Sequence, residues 1–441
     1  MNEPSLAGIR AALPAATRPL VEAVLGAARA EKLAVFLVGG PVRDHLLGLP
    51  IRDVDLIVEP REARDAVWLA KHAAPEGTPL VAHGRFGTVT LGRGQDQVDL
   101  ATVRSEHYPH PGALPVVGPG TLEADLARRD FTVNAMALPL SPAARRRHPG
   151  IVDPQGGLAD LHAKLLRVHH PKSFSDDPTR ALRAARLSPR LGFGLTRATR
   201  TALQDALREG AFGRVSGDRL RRELDKVFAD ARLELNPVDA LRCLAHWHVL
   251  AALEPGLELP RRAMTPLRRL GRSLADPPFA VRARPGMAGL YLWLAPLSAG
   301  LRRRTAERFG VRGEALERIV EFPKQRDRWL RELGKVRGRG ASDVVLRDVH
   351  DEALLALHAS APLPLARRIV RWAAEDRRRA LPVDGSDLLA AGLSGPAVGR
   401  ALDRVRIAFL DGELRTREEA LVLASELAQR ARPQARRRKK A

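Results

Sequence analysis

Cysteine and long apolar runs are scarce in this chain of 441 residues. The single cysteine, Cys243, excludes disulfides within the chain and cysteine-based zinc sites. No run approaches the roughly 18 apolar residues of a membrane-spanning helix, so we expect no membrane partner. The first residues, MNEPSLAGIRAALP, lack the apolar centre of a signal peptide. These absences favour a cytoplasmic protein.

Positive charge, by contrast, is abundant. The chain has 73 Lys and Arg residues against 51 Asp and Glu residues, which gives a formal net charge of +22. A surplus of this size favours a polyanionic partner, and nucleic acid more than a membrane. A genome rich in Arg codons is the alternative explanation, although Arg clusters also fall inside the motifs described below.

The chain divides by pattern into a mixed N-terminal part and a helical remainder. Within the mixed part we expect a helix around 63–73 and strands near 88–91 and 97–101. The segment EHYPHPGALPVVGPG, residues 106–120, is rich in Pro and Gly, so we expect an irregular loop. The expected divisions are 1–31 as a helical lead-in, 32–140 as a head, 141–270 and 271–431 as helical domains, and 432–441 as a basic tail.

A strand, a glycine turn and a short helix open the head. The apolar run Leu33–Val38 predicts a buried strand. Gly39 and Gly40 follow it and allow the backbone to approach a ligand closely. Pro41 suits the first position of a helix, and Gly48 suits the position just past its end.

Two aspartates on the next predicted strand are candidates for metal binding. Asp53 and Asp55 are two residues apart, so on a strand they share one face. Paired carboxylates repel unless a cation lies between them, and a divalent metal serves this purpose. Asp99, within the predicted strand at 97–101, is a candidate third carboxylate. The alternative is that Asp53 caps a turn and Asp99 pairs with Arg104.

The glycine turn is a candidate phosphate site. Gly39 and Gly40 let backbone N–H groups meet a phosphate at a helix N-terminus, and Arg43 could bind it bidentately beside Asp44. The pattern is neither a dinucleotide-binding GxGxxG nor a Walker A loop. A plain strand–turn–helix connection with a solvated Arg43–Asp44 pair is the alternative.

Two further motifs carry clustered charge. In RRDFTVN, Asp130 and Asn134 would share one face of a helix, and Arg129 could reach a triphosphate. An ordinary charged surface helix is the alternative for this motif.

Isolated histidines such as His169 and His170 show no metal-binding spacing, and we interpret them as structural or surface residues.

The second motif is DDPTRALRAARL. Pro178 suits a first helical position, which would make Asp177 the N-cap. Arginines then recur every three residues and form a slowly winding basic ridge that suits a triphosphate or an RNA backbone. These arginines are Arg180, Arg183 and Arg186.

Together these motifs resemble a known family. GGPVRDHLLGLPIRDVD, RRDFTVNAMAL and DDPTRALRAARL are similar to the first three motifs of the class II tRNA nucleotidyltransferases and bacterial poly(A) polymerases. SGDRLRREL and the C-terminal GSDLLAAGLSGPAVGRAL resemble later segments of the tRNA-acting members. The resemblance implies an α+β fold: a polymerase-β-like head with a small mixed sheet, followed by an all-helical neck, body and tail that bind tRNA.

The resemblance also implies roles for the motif residues. Asp53 and Asp55 would hold two Mg²⁺ ions, with Asp99 as a third catalytic carboxylate. Asp177 and Arg180 would read the base edge of CTP or ATP. The nucleotide-binding set would comprise Gly39, Gly40, Arg43, Asp44, Arg129, Asp130, Asn134, Asp177, Arg180, Arg183 and Arg186.

Two departures from the family pattern bear on nucleotide choice. The base-reading motif begins with Asp176 where the family more often has Glu. The loop after Tyr108 reads PHPGALP where many relatives have an acidic residue and paired arginines, and this region helps to switch specificity from C to A.

The resemblance thus predicts an enzyme that adds CMP and AMP to the 3′ end of tRNA, without an obligatory protein partner. A CC-adding or A-adding enzyme, a poly(A) polymerase and a catalytically idle RNA-binding protein are the alternatives.

Overall fold

The computed structural model describes residues 6–83, 87–110 and 112–437. The first residues of the expected lead-in and the last four of the expected basic tail therefore lie outside the described residues. The described part combines a small mixed sheet with many helices, which confirms the α+β fold class. None of its helices combines the length and the apolar character that crossing a membrane requires.

The strands lie in the N-terminal half of the chain. Their bounds are β1 (Ala34–Val38), β2 (Asp55–Glu59), β3 (Leu80–His83), β4 (Thr88–Leu91), β5 (Val98–Thr102), β6 (Arg104–His107), β7 (Val116–Pro119), β8 (Ala137–Pro139), β9 (Leu165–Leu166) and β10 (Gly194–Leu195). Six of them form one sheet in the order β3-β4-β5-β2-β1-β8. Within that sheet β2 and β5 are parallel, and the other described pairs are antiparallel.

Helices account for most of the rest. Their bounds are α1 (Leu6–Ala12), α2 (Arg18–Ala30), α3 (Gly40–Leu46), α4 (Ala66–Ala73), α5 (Leu122–Ala127), α6 (Pro142–Arg147), α7 (Gly157–Ala163), α8 (Ser173–Asp176), α9 (Thr179–Leu191), α10 (Arg197–Arg208), α11 (Gly217–Ala229), α12 (Pro237–His246), α13 (Val249–Leu253), α14 (Arg261–Ala275), α15 (Pro285–Leu294), α16 (Ala299–Arg308), α17 (Gly313–Lys335), α18 (Arg339–Leu346), α19 (Asp351–Ser360), α20 (Leu363–Arg371), α21 (Gly385–Ala390), α22 (Pro396–Asp411) and α23 (Arg417–Arg437).

The chain folds into two compact units. One comprises the described residues of Met1–Val215 and Cys243–Pro255, and the other those of Ser216–Arg242 and Gly256–Ala441. In the first unit every residue of β1 is buried, which explains its continuous apolar run. In the second unit α15 is buried along its length, and a Cβ on Gly289 would lie 2.3 Å from the Phe228 ring. Only glycine permits this approach of α15 to α11.

Three local predictions need correction. Asp53 precedes β2, which begins at Asp55, so only the second aspartate lies on the strand. Residues 106–120 are not wholly irregular, because β6 and β7 pair antiparallel at the two ends of the segment. The motif around Asp130 is not an α-helix: Asp130 Oδ1 accepts a hydrogen bond from its neighbour Phe131 N at 2.9 Å, and a single 3₁₀ turn follows. This local hydrogen bond competes with helix formation.

Candidate active site

Two half-buried aspartates of the head lie on neighbouring strands. Register places Asp55 of β2 directly beside Asp99 of β5. Asp99 accepts hydrogen bonds from Thr90 Oγ1 at 2.6 Å and from Gln97 Nε2, and Arg104 instead pairs with Glu106. Asp53 lies just before the strand and is exposed. The sheet thus brings together carboxylates that are 44 residues apart in sequence.

These carboxylates line a cleft with one arginine. Its volume is about 250 Å³, and Asp55, Asp99 and Arg129 are among its lining residues. Burial raises the pKa of Asp55 to about 6; Arg129 opposes this effect, whereas Asp99 and Asp53 add to it. In the described part of the chain, two carboxylates and one arginine thus line the cleft, and the charge of Arg183 acts on Asp55 in the same direction as that of Arg129.

The glycine turn makes room for Arg129. Gly39 has a φ of +76°, which favours glycine, and a Cβ there would lie 2.8 Å from Arg129 Nη1. Helix α3 starts at the next residue, Gly40, with Pro41 in its first turn. The arginine and the amino end of α3 therefore lie side by side, as a phosphate-binding site requires.

Arg129 is held by a buried carboxylate that the sequence analysis missed. Asp125 is fully buried and accepts hydrogen bonds from Arg129 Nη2 at 3.1 Å and from Arg128 Nη2 at 2.6 Å. Arg128 Nη1 also donates to Glu106 on β6 at 2.8 Å. The spacing of Asp125 three and four residues before the two arginines was the available signal.

Arg43 has a different environment from the one expected for a phosphate ligand. Its side chain is buried, Nε and Nη2 donate to Asp44 Oδ1 at 2.9 and 2.7 Å, and Nη1 donates to Asn134 Oδ1. Burial lowers the pKa of Arg43, and Asp44 opposes that effect. Because all three nitrogens have protein partners, Arg43 braces the glycine turn in this structure. Asp44 also accepts from Arg190 Nη2 at 2.8 Å, a partner that the sequence analysis did not identify.

Asp130 and Asn134 meet despite the absence of a helix between them. Asn134 Nδ2 donates to Asp130 Oδ1 at 2.9 Å, and Arg183 Nε donates to Asp130 Oδ2 at 2.7 Å. Burial alone would raise the pKa of Asp130, but Arg183 and the Asn134 hydrogen bond hold it well below its usual range. The two residues thus connect the motif to helix α9.

The candidate base-reading residues lie just before helix α9 and in its first turn. The helix starts at Thr179, one residue later than expected, and Asp177 Oδ1 accepts hydrogen bonds from Thr179 N and Oγ1 at 3.0 and 2.6 Å. Arg180 is buried, and its Nη2 donates to the Arg128 carbonyl at 2.9 Å. Its Nη1 is also buried and has no hydrogen-bond partner among the described residues. Arg186 lies half-buried further along the same helix.

The turn between β6 and β7 contacts the segment before α9. Gly112 N donates to the carbonyls of both Ser175 and Asp176 at 3.1 Å. Tyr108, at the start of the same turn, has its pKa raised to about 12 by burial, with Arg180 acting in the opposite direction. The Pro/Gly segment is thereby joined to the candidate base-reading motif.

His169, for which the sequence suggested a structural or surface role, lies near enough to Arg180 to be influenced by its charge. Its Nδ1 lies 3.3 Å from Gln155 Oε1, and its buried Nε2 has no hydrogen-bond partner in the described part of the chain. Burial, followed by the charge of Arg180, lowers the pKa of His169 to about 4. The imidazole is therefore neutral at physiological pH.

The donor chemistry of the cleft suits hard divalent cations. Carboxylate oxygens such as those of Asp55, and of Asp53 just outside the cleft lining, are ligands of the kind these cations prefer. Burial is the main cause of the raised pKa of Asp55, and the negative charges of Asp99 and Asp53 add to it. Among the described residues, no three His, Cys, Asp or Glu side chains converge enough to hold a metal by themselves. Phosphate oxygens of a bound nucleotide would have to complete the coordination.

Known proteins are similar to this chain in sequence and in fold. Residues 35–167 match the family model of the poly A polymerase head domain. The chain is 31% identical over 414 residues to the A-adding tRNA nucleotidyltransferase of Geobacter sulfurreducens, which covers 91% of this chain and 46% of that protein. It is 30% identical over 430 residues to the multifunctional CCA protein of Methylococcus capsulatus, which covers 85% of this chain and 94% of that protein.

A solved structure agrees with these relatives. The fold is similar to that of the Thermotoga maritima CCA-adding enzyme complexed with tRNA, with a TM-score of 0.62 and 27% identity over 91% of this chain and 93% of that chain. The chain spans about half the length, or less, of several curated relatives that it matches. The resemblance in the motifs is confirmed, and the chain belongs to the family of class II tRNA nucleotidyltransferases and bacterial poly(A) polymerases.

Proposed function

We propose that this protein adds CMP and AMP, from CTP and ATP, to the 3′ end of tRNA without a nucleic-acid template. One observation carries the proposal: Asp55 and Asp99 face a cleft with Arg129, which lies against the Gly39 turn. The cleft thus combines carboxylates for metal with an arginine and a helix N-terminus for phosphate. The proposed reaction takes place in the cytoplasm and needs tRNA and nucleotides but no obligatory protein partner.

The residues of the cleft would align the reacting groups. Arg129 and the N–H groups at the start of α3 would bind the triphosphate, so that the tRNA 3′ hydroxyl attacks the α-phosphate in line. Asp53 and Asp55 would hold two Mg²⁺ ions, with Asp99 beside them. Those ions, when bound, would assist deprotonation of the hydroxyl and neutralise the leaving pyrophosphate.

Base selection would rest on the start of α9. Cytosine and adenine both present an amino group next to an unprotonated ring nitrogen, whereas uracil and guanine present a carbonyl next to a ring N–H. The buried Nη1 of Arg180, which has no hydrogen-bond partner among the residues that the structure describes, would donate to that ring nitrogen. The Asp177 carboxylate, oriented by Thr179, would accept from the amino group.

Replacing Asp53 tests the catalytic proposal. We expect Asp53→Ala to abolish nucleotide incorporation, because the metal pair loses a ligand, while the affinity for tRNA persists. The assay uses tRNA lacking its last three nucleotides, with products separated on a sequencing gel. Asp205→Ala, which removes a half-exposed carboxylate that pairs with Arg208 on α10, is the matched control. Full activity of Asp53→Ala would exclude the proposed mechanism.

Addition of A alone is the second candidate function. It is favoured by the similarity to an A-adding relative over 91% of this chain, together with Asp176 and the altered loop after Tyr108. The same assay with CTP alone, ATP alone and both separates the possibilities. Extension by three nucleotides in the presence of both CTP and ATP supports the complete CCA-adding enzyme. Extension by ATP only of tRNA that already ends in CC supports the A-adding enzyme.

Other outcomes identify the remaining alternatives. Extension that stops at CC with both nucleotides present would indicate a CC-adding enzyme. Long A tracts would indicate a poly(A) polymerase, and the absence of any extension would favour an RNA-binding protein without catalysis.

A further inference from the structure

Helix α9 is tied to the head at two places that are two turns apart. Arg183 and Arg190 lie seven residues apart, about 10 Å along the helix axis. Each donates to a different buried aspartate: Arg183 to Asp130, and Arg190 to Asp44. These aspartates lie in two separate motifs of the head.

A continuous chain of hydrogen bonds links the two aspartates. Arg190 Nη2 donates to Asp44 Oδ2 at 2.8 Å. The other oxygen of the same carboxylate, Oδ1, accepts from Arg43 Nε at 2.9 Å. Arg43 Nη1 donates to Asn134 Oδ1, and Asn134 Nδ2 donates to Asp130 Oδ1 at 2.9 Å. These hydrogen bonds and helix α9 together form a closed network. Every residue of the network between the two α9 arginines is buried.

This hydrogen-bond network connects the phosphate-binding and base-reading parts of the proposed nucleotide site. Arg43 and Asp44 belong to α3, which begins at the glycine turn that would bind phosphate. Arg180, which would read the base, lies on the first turn of α9, one turn before Arg183. The separation of the phosphate and base subsites therefore depends on how α9 is held against α3.

We propose that Arg190 is a positioning residue for the nucleotide: by holding the carboxyl end of α9 to Asp44, it sets the distance between the base-reading arginine and the phosphate-binding turn. The inference rests on the proposed function only for the identity of the ligand. Arg190 itself touches neither the cleft carboxylates nor Arg129 through any hydrogen bond in the described structure.

Removing Arg190 should loosen α9 rather than dismantle the turn. Asp44 Oδ1 keeps both hydrogen bonds from Arg43, so the turn retains its brace. Asp44 Oδ2, however, loses its partner in a largely buried position, and the last turns of α9 lose their tie to α3. Arg190→Met preserves the aliphatic stem and removes only the guanidinium.

The test measures binding of CTP and ATP by titration calorimetry in the absence of tRNA. We expect Arg190→Met to weaken both affinities on the order of tenfold, because small displacements of positioning groups have effects of this size or larger. Arg190→Lys should recover most of the loss, since a single ammonium can still reach Asp44 Oδ2. Arg200→Met is the matched control, because Arg200 donates to the Leu195 carbonyl and not to the head sheet or α3.

Hydrogen exchange supplies a readout that needs no nucleotide. In Arg190→Met, amides of α3 and of the last turns of α9 should exchange faster, while those of β1 and β2 stay protected. Wild-type nucleotide affinity in Arg190→Met, equal loss in Arg200→Met, or no recovery in Arg190→Lys would each overturn the inference. If the wild-type protein binds CTP but extends no tRNA, the proposed function fails while the role of Arg190 is still measured.

Discussion

The glycine turn and the paired aspartates are the parts of the site that could be recognised from sequence. A glycine after a buried strand indicates a turn by itself, and paired aspartates indicate a cation, because both inferences use only near neighbours. The partners of Asp125 and Arg190 were not recognised. The latter contact joins residues 146 positions apart, and only packing of α9 against α3 creates it.

The neutral state of His169 leads to a prediction about stability and pH. Its pKa is about 4 in the folded protein against an ordinary value of 6.5, so the unfolded chain binds more protons between these values. The free energy of unfolding should therefore fall as pH decreases from about 6.5 to 4, by at most about 3 kcal/mol from this group.

Urea denaturation of two histidine variants would measure this contribution. His169→Leu should lose less stability than the wild-type protein over this pH range, because it has no imidazole to protonate. His162→Leu, which changes an exposed histidine on α7, should follow the wild-type pH dependence. Parallel pH profiles for wild type and His169→Leu would contradict the prediction.

At the level of elements, apolar periodicity predicted the bounds of regular strands correctly. It located β1, β4 and β5 to within a residue, because β1 is a short apolar run whereas β4 and β5 begin with alternating buried and partly exposed residues. It failed for β6 and β7, since the Pro and Gly residues between them obscured two short pairing segments. It also failed at Asp130, where a side-chain hydrogen bond to the next residue replaces a helical turn.

The β6–β7 turn should influence A addition more than C addition. We predict that replacing residues 108–115 by a short Gly/Ser linker, with both strands retained, removes the Gly112 contacts to Ser175 and Asp176. The base-reading segment then loses a support on one side. Single-nucleotide assays would compare CTP addition to tRNA lacking CCA with ATP addition to tRNA ending in CC. Equal loss of the two activities would count against a switching role.

For the whole molecule, sequence indicated the fold class but not its compact units. The first unit is discontinuous in sequence: it also contains residues 243–255, which follow a segment of the second unit. Composition alone does not indicate this arrangement. The sequence-based divisions at 140 and 270 remain predictions about functional domains. The net charge of +22 is a property of the entire chain and leads to a separate expectation.

That charge should make tRNA binding strongly dependent on salt. Each phosphate neutralised by Lys or Arg releases counterions, so affinity should fall by on the order of 100-fold or more between about 50 and 200 mM salt. Filter binding across this range would give the slope of log affinity against log salt concentration. A nearly flat slope would mean that the basic surface does not contact the tRNA backbone.

The parallel pairing of β2 and β5 has a consequence for folding order. Asp55 and Asp99 become neighbours only after β5 has added to β2, and that step closes a long stretch of chain between two strands. Long-range parallel pairing is slow to form, so the cleft is expected to assemble late during folding. Partly folded chains would therefore lack nucleotide affinity, and the mutual repulsion of the two carboxylates would be felt only as the sheet becomes complete.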